Sequence, residues 1–145
     1  MDVNYKALDD LCQVPKYGSA GAAGADLYAA TDSNITIEPG QTVKIGTGLA
    51  MELPEGTAGL ILPRSGLASK KGLAPINTPG LIDCDYRGEF IVALHNHSDL
   101  PQEIEPGERI AQLMVIPYIH CDFIKVDELD ATKRGEGGFG STGTK

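Results

Sequence analysis

The chain has no tryptophan, only eight other aromatic residues (five Tyr, three Phe), three cysteines and four arginines among 145 residues. Each shortage excludes something. Cys12, Cys84 and Cys121 are odd in number and show no Cys-x-x-Cys spacing, so neither a disulfide framework nor a zinc site is indicated, and reduced thiols of a cytoplasmic protein are expected. No run of about 18 apolar residues exists, which excludes a membrane-spanning helix. The stretch Met1-Asp-Val-Asn-Tyr-Lys6 lacks a basic region followed by an apolar one, so no secretion signal is expected. A formal net charge of −8 argues against long nucleic acid or an anionic membrane as partner, but not against a small anion held by local positive charge. There is no internal repeat, no long amphipathic helix and no Gly-x-x-x-x-Gly-Lys-Ser/Thr phosphate loop. Gly138-Phe-Gly-Ser-Thr-Gly143 formally matches Gly-x-Gly-x-x-Gly, but no helix can follow it within the two remaining residues.

What is present is turn chemistry. Eighteen Gly and nine Pro are spread along the chain, which predicts many short strands in one all-β domain. Glu38-Pro-Gly-Gln41 and Glu105-Pro-Gly-Glu108 place Gly where a type II turn needs φ > 0, and Leu53-Pro-Glu-Gly56 is a third turn. Val3 and Tyr5 fit an edge strand. Ile35, Ile37, Val43 and Ile45 flank the first turn, Ala58 to Leu62 reads as a buried strand, and Arg109 to Ile116 is the longest apolar strand candidate. From Asp127 the apolar content falls, and Gly fills five of the nine positions 135–143. Such a segment cannot bury enough surface to order itself and reads as a flexible tail, yet it carries Arg134 and Phe139.

Several stretches can carry chemistry. Asn77-Thr-Pro-Gly-Leu-Ile-Asp-Cys-Asp-Tyr-Arg-Gly-Glu89 reads as a hairpin crowding Asp83, Asp85, Tyr86 and Arg87 onto one bend, either as an acidic surface turn or to hold a ligand. Pro63-Arg-Ser-Gly66 ends a strand with a guanidinium, a hydroxyl and free N–H groups that suit an anion; a plain strand end with a Ser cap is the alternative. Gln112 interrupts an apolar strand, where its amide needs a backbone or a ligand partner. Asp26 follows a run of small residues and either caps local amides or serves a site. His95 and His97 have no third ligand nearby and read as ordinary polar residues. The arginines all sit in such stretches, and their planar forks match phosphate oxygens, so a small phosphorylated ligand is expected.

Five of these stretches, in order, resemble the motifs of the trimeric dUTP pyrophosphatases (dUTPases). They are Ala23-Gly-Ala-Asp-Leu27, Pro63-Arg-Ser-Gly-Leu-Ala68, Gly80-Leu-Ile-Asp-Cys-Asp-Tyr-Arg-Gly-Glu89, Gly107-Glu-Arg-Ile-Ala-Gln-Leu113 and the tail from Arg134 to Gly143. The resemblance covers essentially the whole chain; one departure is Ala22, where the family often has serine. It implies an all-β, jelly-roll-like distorted β-barrel of the β-clip type over residues 1–126, with at most one short helix, and a C-terminal arm over 127–145 that closes on the active site. It further implies a cytoplasmic homotrimer whose sites are shared between subunits.

The implied reaction is Mg²⁺-dependent hydrolysis of dUTP to dUMP and pyrophosphate by water attack on the α-phosphorus. This keeps uracil out of DNA and supplies dUMP for dTMP synthesis. By the resemblance Asp83 activates the water, and Arg64, Ser65, Gly66 and Gln112 contact phosphate. Arg134 with Gly140, Ser141 and Thr142 holds the γ-phosphate end, and Asp26 touches Mg²⁺ through a water. Main chain at Gly80, Leu81 and Ile82, helped by Asn77, pairs with uracil; Tyr86 packs on the sugar and excludes a 2′-hydroxyl; Phe139 stacks on the base. Arg87 and Arg109 are read as structural or intersubunit ion pairs, and Asp85 as structural. Two rival readings exist: a dCTP deaminase of the same fold, which needs a different C-terminal segment, and a non-catalytic nucleotide sensor, which could lose Asp83 or the tail.

Overall fold

The computed structural model describes residues 1–138. Eleven strands and one helix are present among them. In chain order these are β1 (Asn4–Ala7), β2 (Lys16–Tyr17), β3 (Ala25–Tyr28), β4 (Ile35–Ile37), β5 (Thr42–Glu52), β6 (Thr57–Leu62), α1 (Ser65–Lys71), β7 (Leu73–Pro75), β8 (Gly80–Ile82), β9 (Glu89–Asn96), β10 (Gln102–Ile104) and β11 (Arg109–Pro117). Every pairing is antiparallel. The strands form a four-stranded sheet in the order β1-β5-β9-β7, a five-stranded sheet β2-β3-β11-β6-β8 and the pair β10-β4. The expected all-β class with one short helix is therefore observed, and β5 with eleven residues outruns β11 with nine.

The core follows from period-two alternation. On β9, Phe90, Val92, Leu94 and Asn96 point inward, and on β3, Ala25 and Leu27 do. Leu27, Phe90, Val92 and Leu94 join Ile45, Leu49, Ile61, Leu73, Ile110 and Leu113 in one buried cluster. Phe90 is wholly buried, and burying a side chain of that size contributes about 1.5–3 kcal/mol. Asn96, inside this core, is fully partnered: Nδ2 donates to the carbonyls of Ile37 and Leu100, both at 2.8 Å, and Oδ1 accepts from Ser98 N–H at 2.9 Å and Ser98 Oγ at 2.8 Å. It ties the end of β9 to β4.

The predicted turns form as their chemistry requires. Gly40 (φ 73°) and Gly107 (φ 71°) take the left-handed position, closed by Gln41 N–H to Glu38 O at 2.9 Å and Glu108 N–H to Glu105 O at 3.0 Å. One expectation is corrected. Residues 77–89 are not a hairpin, because β8 pairs with β6 in the five-stranded sheet while β9 pairs with β5 and β7 in the other. The residues between them form a loop from one sheet to the next. Both edges of β9 are taken, one by β5 and the other by β7, so β8 finds its partner in β6.

Among the described residues regular structure ends at Pro117, and from residue 118 to 136 every residue is exposed, including Ile119, Phe123 and Ile124. No helix among the described residues is long and apolar enough to cross a membrane.

Candidate active site

Two open clefts collect the residues singled out by sequence. The first is lined by Gly18, Ala22, Gly24, Asp26, Arg64, Ser65, Gly66, Arg109 and Gln112. Its floor is the β3-β11-β6 part of the five-stranded sheet. Asp26 on β3 lies opposite Gln112 on β11, which in turn lies opposite Leu62 on β6. Two residues beyond Leu62 the chain turns into α1, placing Arg64 just before the helix and Ser65 and Gly66 in its first turn. Arg64 is extended there (φ −89°, ψ 126°), and no side chain caps the helix. The first helical N–H to find a partner in the turn is that of Ala68, bonded to Arg64 O at 3.0 Å, so the amides of Ser65, Gly66 and Leu67 have no intrahelical acceptor.

The ion pairs here are specific. Arg64 Nε donates to Asp26 Oδ1 at 2.7 Å, and Arg109 Nη1 donates to Asp26 Oδ2 at 3.2 Å. The Asp26 side chain is 14% exposed, against 25% for Arg64 and 53% for Arg109. Asp26 thus does not cap local turn amides; it anchors two arginines. Gln112 Nε2 donates to Pro63 O at 2.9 Å, so its burial is answered by backbone, with one N–H left over. A Cβ at Gly24 would stand 2.5 Å from Gln112 Oε1, so only glycine leaves that side chain its place.

The second cleft is lined by Ala58, Leu81, Asp83, Cys84, Asp85, Tyr118 and His120. Gly80 is buried, pairing with Ile61, whereas Leu81 is 63% exposed and Asn77, Asp83 and Tyr86 are exposed. The Asn77 amide nitrogen sits 3.3 Å from where a Cβ at Gly80 would be. Tyr86 folds back, its Oη donating to Glu89 O at 3.0 Å, in space that a Cβ at Gly88 would invade to 2.3 Å. Arg87 donates to the Cys84 carbonyl at 2.7 Å and lies 3.6 Å from Glu52, so it braces the loop. Cys84 Sγ lies 3.6 Å from Tyr118 Oη, and this contact, with the thiol's charge, pushes the Tyr118 phenol pKa up. Sequence reading gave Tyr118 and His120 no role, since nothing local in their stretch marks them.

The two clefts share no residue, and one chain does not bring them together. Ile82 lies opposite Gly59, whereas Arg64 stands five residues further along the same extended chain, roughly 16 Å away at 3.3 Å per residue. The first cleft, about 240 Å³, is below the range of sites that swallow a whole small-molecule ligand, so it suits part of one. Arg134 is exposed on a turn closed by Gly137 N–H to its carbonyl at 3.0 Å. Phe139, Gly140, Ser141 and Thr142 lie outside the described residues.

The donor set also bears on Mg²⁺. Among the described residues no three His, Cys, Asp or Glu side chains gather to cage a metal ion. Both Asp26 oxygens already accept from guanidinium groups, yet a carboxylate has about four lone-pair positions. The remaining positions leave Asp26 able to contact an ion carried by phosphate oxygens.

Comparison with known proteins agrees with these features. A dUTPase family model matches residues 10–143. The deoxyuridine 5′-triphosphate nucleotidohydrolase of Desulfitobacterium hafniense is 51% identical over 142 residues, 97% of this chain and 94% of that one. The solved structure of the Staphylococcus bacteriophage 80alpha dUTPase with dUPNHPP superposes with a TM-score of 0.90 at 30% identity, covering 98% of both chains. A variant dUTPase from phage phi11 of S. aureus, described with a structural Mg(II) ion, gives a TM-score of 0.81 at 25% identity, covering 90% of this chain and 100% of that one. A family match across nearly the whole chain, with half the residues identical to a relative, leaves one assignment: the chain belongs to the dUTPase family.

Proposed function

We propose that this chain hydrolyses dUTP to dUMP and pyrophosphate, in sites that form where the Asp83 loop of one subunit meets the Arg64 cleft of another in a homotrimer. The observation that carries this reading is the match of residues 10–143 to the dUTPase family, with Asp83 lining one cleft and Arg64, Ser65, Gly66 and Gln112 lining the other. The separation of the Asp83 loop from the Arg64 cleft, which share no lining residue, supports the shared site, because a base and the phosphate it serves must lie within reach of one water.

In this reading the uracil edge pairs with main chain between Gly80 and Tyr86, assisted by Asn77. Close backbone approach leaves no room for the methyl group of thymine, and cytosine meets the wrong donor pattern. Tyr86, held back by its bond to Glu89 O, presents its ring to the sugar and excludes a 2′-hydroxyl. Arg64, Ser65, Gly66 and the spare N–H of Gln112 hold phosphate oxygens. Asp83, exposed and acidic, takes a proton from the water that attacks the α-phosphorus. Residues 127–145 act as an arm on the compact 1–126 body: Arg134 and the amides of Gly140, Ser141 and Thr142 meet the distal phosphates, and Phe139 covers the base. Mg²⁺, when bound to the phosphates with Asp26 in its outer shell, supplies neutralisation of their charge. Hydrolysis of this kind keeps uracil out of DNA, and a cytoplasmic location suits it.

The test is to incubate the protein with dUTP, dTTP, dCTP and UTP, with and without Mg²⁺, and to measure pyrophosphate release alongside the sedimentation mass. Release from dUTP alone, Mg²⁺-dependent and by a trimer, is the expected result. Release of ammonia from dCTP, or binding without turnover, overturns it.

A further inference from the structure

Arg109 stands on β11 in a place that regular pairing would deny it. Leu113, Gln112 and Ala111 lie opposite Ala25, Asp26 and Leu27 in regular register, but Arg109 then lies opposite Tyr28, with Ile110 left over. This is a β-bulge, one extra residue on one strand, and such insertions re-aim side chains next to functional sites. Its signature is two consecutive inward residues, Ile110 and Ala111, both wholly buried. Without the insertion Arg109 would lie opposite Ala29, itself buried, and would turn its charge to the core. With it, Arg109 shares the face of Gln112, Asp26 and Tyr28 and reaches Asp26 Oδ2.

We propose that Arg109 is a positioning residue of the phosphate cleft, acting through Asp26 on Arg64. A carboxylate held at one oxygen can swing about its last torsion. Held at both, by Arg64 Nε on Oδ1 and Arg109 Nη1 on Oδ2, its plane is fixed. Arg64 then keeps Nε engaged and presents its terminal nitrogens as a preorganised fork, the geometry that suits phosphate. The Arg64 Nη1 contact to the Arg109 carbonyl, 3.4 Å, adds a second link between the same two residues. The bulge is thus a device for delivering this arginine.

This inference rests on the proposed function only in taking the cleft to receive phosphate, and its test uses inorganic pyrophosphate as the probe. Affinity is measured by calorimetry on the full-length protein for wild type, Arg109→Gln, Asp26→Asn and the double variant, with Tm recorded for each. Arg109→Gln is expected to weaken pyrophosphate about ten-fold. The same substitution in the Asp26→Asn background is expected to change affinity less than two-fold or so, because the relay is already cut. Arg109→Lys keeps the charge but not the fork; it should recover part of the affinity, and it carries the cycle if the glutamine variant fails to fold. Equal losses in both backgrounds, a lowered Tm with unchanged affinity, or no pyrophosphate binding by wild type each overturns the positioning role. Failure of wild type to hydrolyse dUTP, with the coupling intact, overturns the proposed function instead and supports Arg109's role.

Discussion

The carbonyl oxygen of Asp83 accepts the backbone N–H of Tyr86 at 3.1 Å, so the acid and the aromatic ring are the two ends of one tight turn. Cys84 and Asp85 occupy its middle. The proposed base and the proposed sugar-selecting ring are therefore set by the same few torsions, and substitutions here separate chemistry from selectivity.

Asp83→Asn keeps size and shape and removes the proton acceptor. Turnover of dUTP is expected to fall by about 10²–10⁴-fold, with binding of a non-hydrolysable dUTP analogue retained. Pyrophosphate release and calorimetry check this; near-normal turnover would remove Asp83 from the chemistry.

Gly88→Ala places a methyl 2.3 Å from Tyr86 Oη, the far end of a side chain that can move aside. Tm should change little, because the loop is exposed. The preference for dUTP over UTP, read as the ratio of kcat/KM values, should drop about ten-fold. An unchanged ratio would mean that the Tyr86 ring does not select the sugar.

Deleting residues 134–145 removes no strand and no buried residue among those described. A folded oligomer is expected, with dUTP hydrolysis reduced at least about a hundred-fold. Loss of the near-native circular dichroism spectrum on deletion would show that the tail is part of the core.

Burial, and secondarily the charge of Asp9, raises the Cys12 thiol pKa. At pH 8 Cys12 should therefore alkylate more slowly than exposed Cys121, as mass spectrometry of labelled peptides will show. The sign for stability follows. The folded state holds this proton more tightly than the unfolded state, so the contribution is intact below the ordinary thiol value of 9.0 and is lost as pH rises through the raised one. The Tm advantage of wild type over Cys12→Ser should shrink in that alkaline range, and an advantage that grows there contradicts the assignment.

Much of this protein is written locally. Pro-Gly pairs at 39–40 and 106–107 dictate left-handed turns because only glycine tolerates them cheaply, and alternation along β9 dictates which face of Phe90-Ile-Val-Ala-Leu94 is buried. The residue types proposed to meet phosphate and water are also legible, because Arg64, Gln112 and Asp83 lie in short contiguous motifs. Sheet membership was not. Pro79-Gly80 looked like the start of a hairpin, but which strand covers which depends on apolar area elsewhere in the chain, and β8 and β9 went to different sheets. The partners of Asp26 were equally hidden, since Arg64 and Arg109 are distant in sequence and the bulge at Ile110 shifts the face by one residue. A one-residue slip in pairing carries no local signature. Residue types decide the chemistry on offer; the pairing of strands decides which side chains share a cleft and sets Asp26 beside Gln112, because register is made by contacts between strands and not within them.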